Sequence, residues 1–109
     1  MEIVINKNEK IFIISISGEF HVGNVVKFKS KWNTIVEDKP EIIAINCSGI
    51  AYIDSTALGT LIHFLKFLTT KDIDLVLIDL SFAVEAIFKT TKIDKFFTIT
   101  TKEKLKFYQ

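Results

Sequence analysis

The stretch YIDSTALGTLIHFL, Tyr52 to Leu65, carries the strongest structural signal in the chain. A carboxylate and two hydroxyls, Asp54-Ser55-Thr56, stand directly before a run in which apolar residues recur at helical spacing. Aspartate and serine are preferred where a helix begins, because their side-chain oxygens accept backbone N–H groups that the first turn leaves unpaired. The stretch therefore predicts a helix from about Ser55 to Thr70 that begins at a polar turn.

Two stripes of side chains run along this predicted helix. One is apolar and predicts a face packed on the core; it consists of Leu58, Leu61, Ile62, Leu65 and Leu68. The other starts at the hydroxyls and consists of Thr56, Thr60, His63 and Phe67. We interpret the second stripe as a protein-docking face. The alternative is that Phe64 and Phe67 cover a neighbouring element of this phenylalanine-rich chain.

Strands and helices alternate on either side of this helix. EIVIN and KIFIISISG flank a polar turn and predict a β-hairpin, whose second strand is expected to stop at Gly18. EIIAINCSG and IDLVLID are nearly continuous apolar runs, typical of buried strands in a parallel sheet. The first of them is expected to end near Asn46-Cys47, with a turn at Ser48-Gly49.

The remaining segments complete an α/β pattern. Helical spacing from Val25 to Val36, including Trp32 as a core residue, predicts a helix that Asp38-Lys39-Pro40 ends. SFAVEAIFKTTK predicts a shorter helix capped by Ser81, FFTIT an edge strand, and TKEKLKFYQ a terminal helical turn or two. The expected fold is a single domain, residues 1–109, with a mixed sheet covered by helices in the order ββαβαβα.

Composition excludes several classes of protein. The 109 residues are 49% hydrophobic, and 14 basic residues nearly balance 13 acidic ones, so no basic surface for nucleic acid is expected. The single cysteine, Cys47, cannot form an internal disulfide, and no zinc-ligand spacing, phosphate-binding glycine loop or membrane-length apolar run is present in the sequence. His21 and His63 lie far apart without a nucleophile arrangement. We expect a cytoplasmic protein that is not an enzyme and that holds neither metal nor cofactor.

The polar turn before the long helix also suits a modification. The amino end of a helix carries about half a positive charge and free N–H groups, which favour a phosphate. A phosphoryl group on Ser55 or Thr56 would add about −1.5 to −2 charges beside Asp54. A partner packed over this turn would then have to bury that charge or leave.

AYIDSTALGTL resembles the motif of the STAS family, and in particular that of the bacterial anti-sigma factor antagonists. ISISGEF, with Gly18-Glu19-Phe20, and EIIAINCSGIAYID resemble the strands that precede this motif in the family, so the resemblance covers nearly the whole chain. It implies a partner that is both anti-sigma factor and serine kinase, and a PP2C-type phosphatase. The unphosphorylated antagonist would bind the kinase and free a sigma factor, and the free protein is expected to be a monomer.

The resemblance also implies roles for individual residues. Ser55 matches the phosphorylated serine, with Thr56 as second choice, and Asp54 matches the adjacent carboxylate. Two departures are Ala57 in place of the usual glycine, and Phe20-His21 in place of a hydrophobic-Asp pair. The expected docking residues are Glu19, Phe20, His21, Thr56, Ala57, Leu58, Thr60, His63 and Phe67.

Two other functions remain open. One is a constitutive STAS subunit of a transporter or signalling scaffold, in which the hydroxyls only cap the helix. The other is a small α/β enzyme or nucleotide binder, for which the sequence offers no charged or nucleophilic cluster.

Overall fold

The computed structural model describes residues 1–105, and the alternation of strands and helices follows the predicted order. A short 3₁₀ helix, Ile93–Phe96, precedes the last strand. The strands are β1 (Glu2–Asn8), β2 (Ile11–Phe20), β3 (Ile42–Ile53), β4 (Asp74–Ile78) and β5 (Thr98–Thr100). The helices are α1 (Val25–Glu37), α2 (Ser55–Thr70), α3 (Phe82–Thr91) and α4 (Lys102–Leu105).

The five strands form one mixed sheet in the order β1-β2-β3-β4-β5. β1 pairs antiparallel with β2 in the predicted hairpin, and every later neighbour pair is parallel. Parallel neighbours require a crossover, and the helices between them supply it. The predicted mixed α/β sheet is confirmed, including the edge strand at the FFTIT segment.

Two strands run further than the sequence suggested. β2 continues through Gly18 to Phe20, and β3 continues through Ser48-Gly49 to Ile53, so both predicted ends were wrong. Gly18 has φ of +89°, which glycine adopts without strain, and it lies where the β2–β3 register shifts. A Cβ at Gly49 would lie 2.9 Å from the Cβ of Ser17, so this glycine lets two paired strands approach closely. Neither glycine ends a strand.

The main core lies between one face of the sheet and helices α1, α2 and α3. An aromatic cluster fills the contact between α1 and α2, where Phe64 is fully buried and stacks on Trp32 with 5.0 Å between ring centroids. Phe28 meets Phe64 edge-on at 5.3 Å. Trp32 is therefore a core-packing residue, as predicted, and Phe64 covers a neighbouring element. Full burial of one such ring stabilises the fold by about 1.5–3 kcal/mol.

The second sheet face and the helix ends complete the fold. Ile42, Ala44, Val76 and Ile78 are buried on the second face together with Leu105 of α4. The hydroxyl oxygen of Ser81 caps α3 as predicted, accepting the Val84 N–H at 3.3 Å. The predicted terminal helical turn is present as α4, and the part of that prediction that falls on residues 106–109 lies outside the described residues.

Candidate protein-docking site

Asp54 occupies the junction between β3 and α2 and bonds to three parts of the chain. Its Oδ1 accepts the Ala57 N–H at 2.8 Å and so caps the helix, as the sequence predicted. Its Oδ2 accepts the Val22 N–H, 32 positions earlier in the chain, at 2.9 Å. Its own N–H donates to the Phe20 carbonyl at 3.2 Å. The junction is thereby joined to the end of β2 and to the loop that follows it.

The bonds to Asp54 favour its charged form. The Ala57 N–H is the largest cause that holds the pKa of the Asp54 carboxyl below its ordinary value of 3.8. Desolvation raises this pKa, and the Val22 N–H, the charge of His21 and the Thr56 N–H lower it again. The site therefore carries a carboxylate at neutral pH.

Ser55 is the first residue of α2, and its side chain is exposed. The 16-residue helix behind it directs its positive amino end and unpaired N–H groups toward this turn. Thr56 is exposed as well, so the second-choice acceptor is accessible too. The arrangement can accept a phosphoryl group on either hydroxyl without opening the core.

The accessible side of α2 follows a line that starts at Ser55. Residues three or four positions apart share one helix face. We use "outer face" for the exposed or half-buried residues along this line, which are Ser55, Thr56, Gly59, Ile62, His63 and Lys66. The predicted second stripe overlaps this face only at Thr56 and His63. The face is mixed in polarity, because it carries hydroxyl, imidazole and ammonium groups beside the apolar Ile62.

Four residues assigned to docking from the sequence are buried, and that assignment is corrected. Phe20 and Ala57 have no exposed area, Leu58 is 2% exposed and Thr60 is 3% exposed. The Phe20 ring packs on Phe28 with centroids 5.5 Å apart. Thr60 tolerates burial because its hydroxyl donates to the Thr56 carbonyl at 3.0 Å. These side chains lie beneath the surface, and the methyl group of Ala57 is not exposed.

The other assigned residues differ in accessibility. Phe67 is half-buried and stacks on Trp32 at 5.8 Å, so its main role is to cover the contact between α1 and α2. Glu19 and His63 are exposed, and His21 is half-buried. The His21 Nδ1 accepts the Gly23 N–H at 2.9 Å, which gives this histidine a structural part in its loop.

Glu19 and His21 were assigned to docking from the sequence, whereas Val22 and Asn24, in the loop between β2 and α1, were not predicted as part of the site. Asn24 closes this loop, since its Oδ1 accepts the His21 N–H at 3.0 Å and its Nδ2 donates to the Glu19 carbonyl at 2.7 Å. An asparagine directly before a predicted helix was the one available signal. The bond from Val22 to Asp54 had no sequence signal, because the two residues are remote in the chain.

Three further features of residues 1–105 concern metal ligands, membrane-spanning helices and the cysteine thiol. No group of three His, Cys, Asp or Glu side chains there could hold a metal ion, and none of the described helices is long and apolar enough to cross a membrane. Cys47 is buried, and this burial, followed by the charge of Asp79, raises the pKa of its thiol to about 12. A thiol with that pKa is a poor nucleophile at neutral pH.

Comparison with known proteins identifies the family of this chain. The profile of the STAS domain matches residues 2–106, which is nearly the whole chain. The chain belongs to the STAS domain family. This STAS domain is 26% identical, over 83 residues, to the anti-sigma-B factor antagonist of Staphylococcus aureus strain NCTC 8325, with 76% of this chain and 77% of that protein covered.

Solved structures share the fold of this STAS domain. An anti-sigma factor antagonist from Mycobacterium paratuberculosis has a TM-score of 0.75 at 19% identity, covering 90% of this chain and 83% of that one. The Bacillus cell fate determinant SpoIIAA, in its phosphorylated form, has a TM-score of 0.71 at 17% identity, covering 94% of this chain and 95% of that one. At these identities the likeness concerns the fold.

Proposed function

We propose that this STAS domain is an anti-sigma factor antagonist controlled by phosphorylation of Ser55. In its unphosphorylated form it would bind, in the cytoplasm, an anti-sigma factor that is also a serine kinase, and so release a sigma factor for transcription. The protein acts by binding, without catalysis or cofactor. The observation that carries the proposal is the exposed Ser55 hydroxyl at the start of α2, next to the Asp54 carboxylate.

The switch follows from charge. Phosphorylation adds about −1.5 to −2 charges to a neutral hydroxyl. The amino end of α2 tolerates this charge, because its N–H groups and dipole favour an anion, so the fold is retained. A partner that covers Ser55 would have to desolvate the dianion close to Asp54, at an effective cost of several kcal/mol. Phosphorylation therefore removes the partner while leaving the domain folded.

The docking residues of the proposal are the accessible ones. They comprise the outer face of α2 together with Glu19 and the exposed part of His21. A PP2C-type phosphatase would reverse the modification, and it needs the same open approach to Ser55 that the kinase needs. Thr56 is the alternative acceptor on the same turn.

Mass measurement tests the acceptor. The purified protein is incubated with ATP and, one at a time, with each serine-kinase anti-sigma factor encoded by the source organism. We expect one phosphate on the wild type and on Thr56→Ala, and none on Ser55→Ala. A phosphate that persists in Ser55→Ala and disappears in Thr56→Ala would show that Thr56 is the acceptor.

Titration calorimetry tests the charge mechanism. Ser55→Ala should bind the kinase as the wild type does. Ser55→Asp should bind at least about tenfold more weakly, because the kinase would have to bury the new carboxylate close to Asp54. The matched control is Ser30→Asp, which adds the same charge at an exposed position of α1. Equal affinities for Ser55→Asp and Ser55→Ala would refute the mechanism. A stable complex from cells that never carries phosphate would favour a constitutive scaffold subunit.

A further inference from the structure

The loop between β2 and α1 is held in one conformation by its own hydrogen bonds. The Asn24 side chain accepts the His21 N–H through its oxygen and donates to the Glu19 carbonyl through its nitrogen. The backbone N–H of Asn24 donates to the His21 carbonyl at 3.0 Å. The Gly23 N–H donates to the His21 ring. Because these bonds lie within six residues, the loop is preorganised before any partner arrives.

Asp54 attaches this loop to the amino end of α2. One carboxylate oxygen accepts from Ala57 inside the helix, and the other accepts from Val22 at the tip of the loop. Helix capping needs only one oxygen, and serine or asparagine would supply it equally well. The second oxygen has a separate task, which is to fix the position of the loop relative to Ser55.

The loop presents apolar surface next to the proposed switch. The Val22 side chain is 62% exposed although its backbone is bonded to Asp54, and Val26, four positions further on in the first turn of α1, is 74% exposed. Most other apolar side chains of comparable size are buried or half-buried in the described chain. Contact between a partner and a small apolar surface on a rigid loop can contribute binding free energy at little cost in conformational entropy.

We infer that Asp54 is a positioning residue that joins Val22 and Ser55 into one docking surface, with the Val22 side chain as an apolar contact for the anti-sigma factor. The inference rests on the proposed function and adds to it a positioning role for Asp54 and an apolar contact at Val22, beside Glu19 and His21. The occupant is the same kinase that covers Ser55, because the Asp54 carboxylate bridges the loop and the helix end directly.

Asp54→Asn separates the two tasks of the carboxylate. The asparagine oxygen can cap α2, but its NH₂ group is a donor and cannot accept the Val22 N–H. Amide hydrogen exchange should show the Val22 N–H exchanging about three- to tenfold faster than in the wild type, the factor expected for loss of one hydrogen bond, with the α2 amides unchanged. An unchanged Val22 exchange rate would overturn the positioning role, and this measurement needs no partner.

A double-mutant cycle tests the docking role, with each purified serine-kinase anti-sigma factor of the source organism as the probe. Val22→Ser removes the apolar contact and keeps the backbone bond, and we expect it to weaken binding about tenfold. Asp54→Asn should weaken binding to a similar degree. The double variant should bind no more weakly than the weaker single variant, because both changes remove the same contact.

The matched control is Val4→Ser, the same change at a 46% exposed valine of β1, which should leave the affinity unchanged. If the losses of binding free energy in the two single variants added fully in the double variant, the positioning role would be refuted, since the two residues would then act independently. If the wild type binds a kinase and both single variants bind as tightly, the proposed function stands and this inference falls. If the wild type binds none of the kinases, the proposed function fails and the docking role of Val22 fails with it.

Discussion

Replacing Gly59 with alanine is expected to stabilise the protein while it tests where a partner docks. Gly59 lies inside α2 on the outer face, and a Cβ added there meets no atom of the surrounding structure within 4 Å. A glycine in a helix interior is less favourable than alanine by about 0.8–1 kcal/mol, because its backbone loses more freedom on folding. Gly59→Ala should therefore raise the free energy of unfolding by about 0.8 kcal/mol.

The expected shift in melting temperature follows from chain length. An unfolding entropy of about 2.1 cal/mol/K per residue amounts to about 0.23 kcal/mol/K for 109 residues. Dividing about 0.8 kcal/mol by this entropy gives a rise in Tm of about 3–4 °C, measurable by calorimetry or circular dichroism. An unchanged or lower Tm would refute the reasoning, because it would mean that the added methyl meets an obstacle on this side of α2.

Gly49→Ala is the matched control for this change. The same methyl group at Gly49 would lie 2.9 Å from the Ser17 Cβ and 3.2 Å from the Ile16 carbonyl oxygen, so the paired strands would have to move apart. We expect Gly49→Ala to lower the free energy of unfolding by about 1–3 kcal/mol, opposite in sign to the effect at Gly59. If both variants gained stability, the close approach of β2 and β3 would be contradicted.

The same Gly59 variant reports on docking. Its methyl group lies on the outer face, one helical turn from Ser55, where a partner covering the switch would pack. We expect weaker binding of the proposed anti-sigma factor partner despite the higher Tm. A gain in stability with unchanged affinity would locate the partner contact away from Gly59.

Two further predictions concern the core and the pH dependence of stability. Phe64→Ala should lower the free energy of unfolding by about 3–5 kcal/mol, whereas Phe82→Ala, the same change at an 87% exposed ring, should alter it by less than about 0.5 kcal/mol. Equal effects of the two changes in urea titrations would contradict the aromatic core. The folded-state pKa of Asp54 lies below 3.8, so the stability from its carboxylate is present above pH 3.8 and is lost as the pH falls through the lower folded value. The Tm difference between wild type and Asp54→Ala should therefore narrow below pH 3.8, and a difference that persists into the acid-unfolding range would argue against the charged cap.

Local patterns were sufficient to predict most of the fold. The predicted span of α2, from about Ser55 to Thr70, agrees with the observed helix, because both its cap and its apolar spacing lie within the segment itself. The continuous apolar runs likewise identified β3 and β4 as buried parallel strands. The predicted ends at Gly18 and Ser48-Gly49 were wrong, because glycine and serine are typical of turns and only the pairing of β2 with β3 shows them inside strands.

The site was predictable only where its chemistry is local. Asp54 and Ser55 stand next to each other in the sequence, and their relation to the helix end follows from capping rules. Thr60 and Ala57 were assigned to the wrong side, because small residues fit either face of a helix. The position of α1, whose Phe28 and Trp32 meet Phe64 from α2, decides which of these faces is covered.

The sequence by itself determined the order of strands and helices, the start of α2 and the presence of a hydroxyl beside a carboxylate at that start. These features depend on spacing and capping within a few residues, so they can be read along the chain. Only the tertiary structure decided which side of α2 is accessible and that Val22 lies against Asp54. Those relations join residues up to 32 positions apart, and they form only when β2 and β3 pair side by side and bring their ends to the same edge of the sheet.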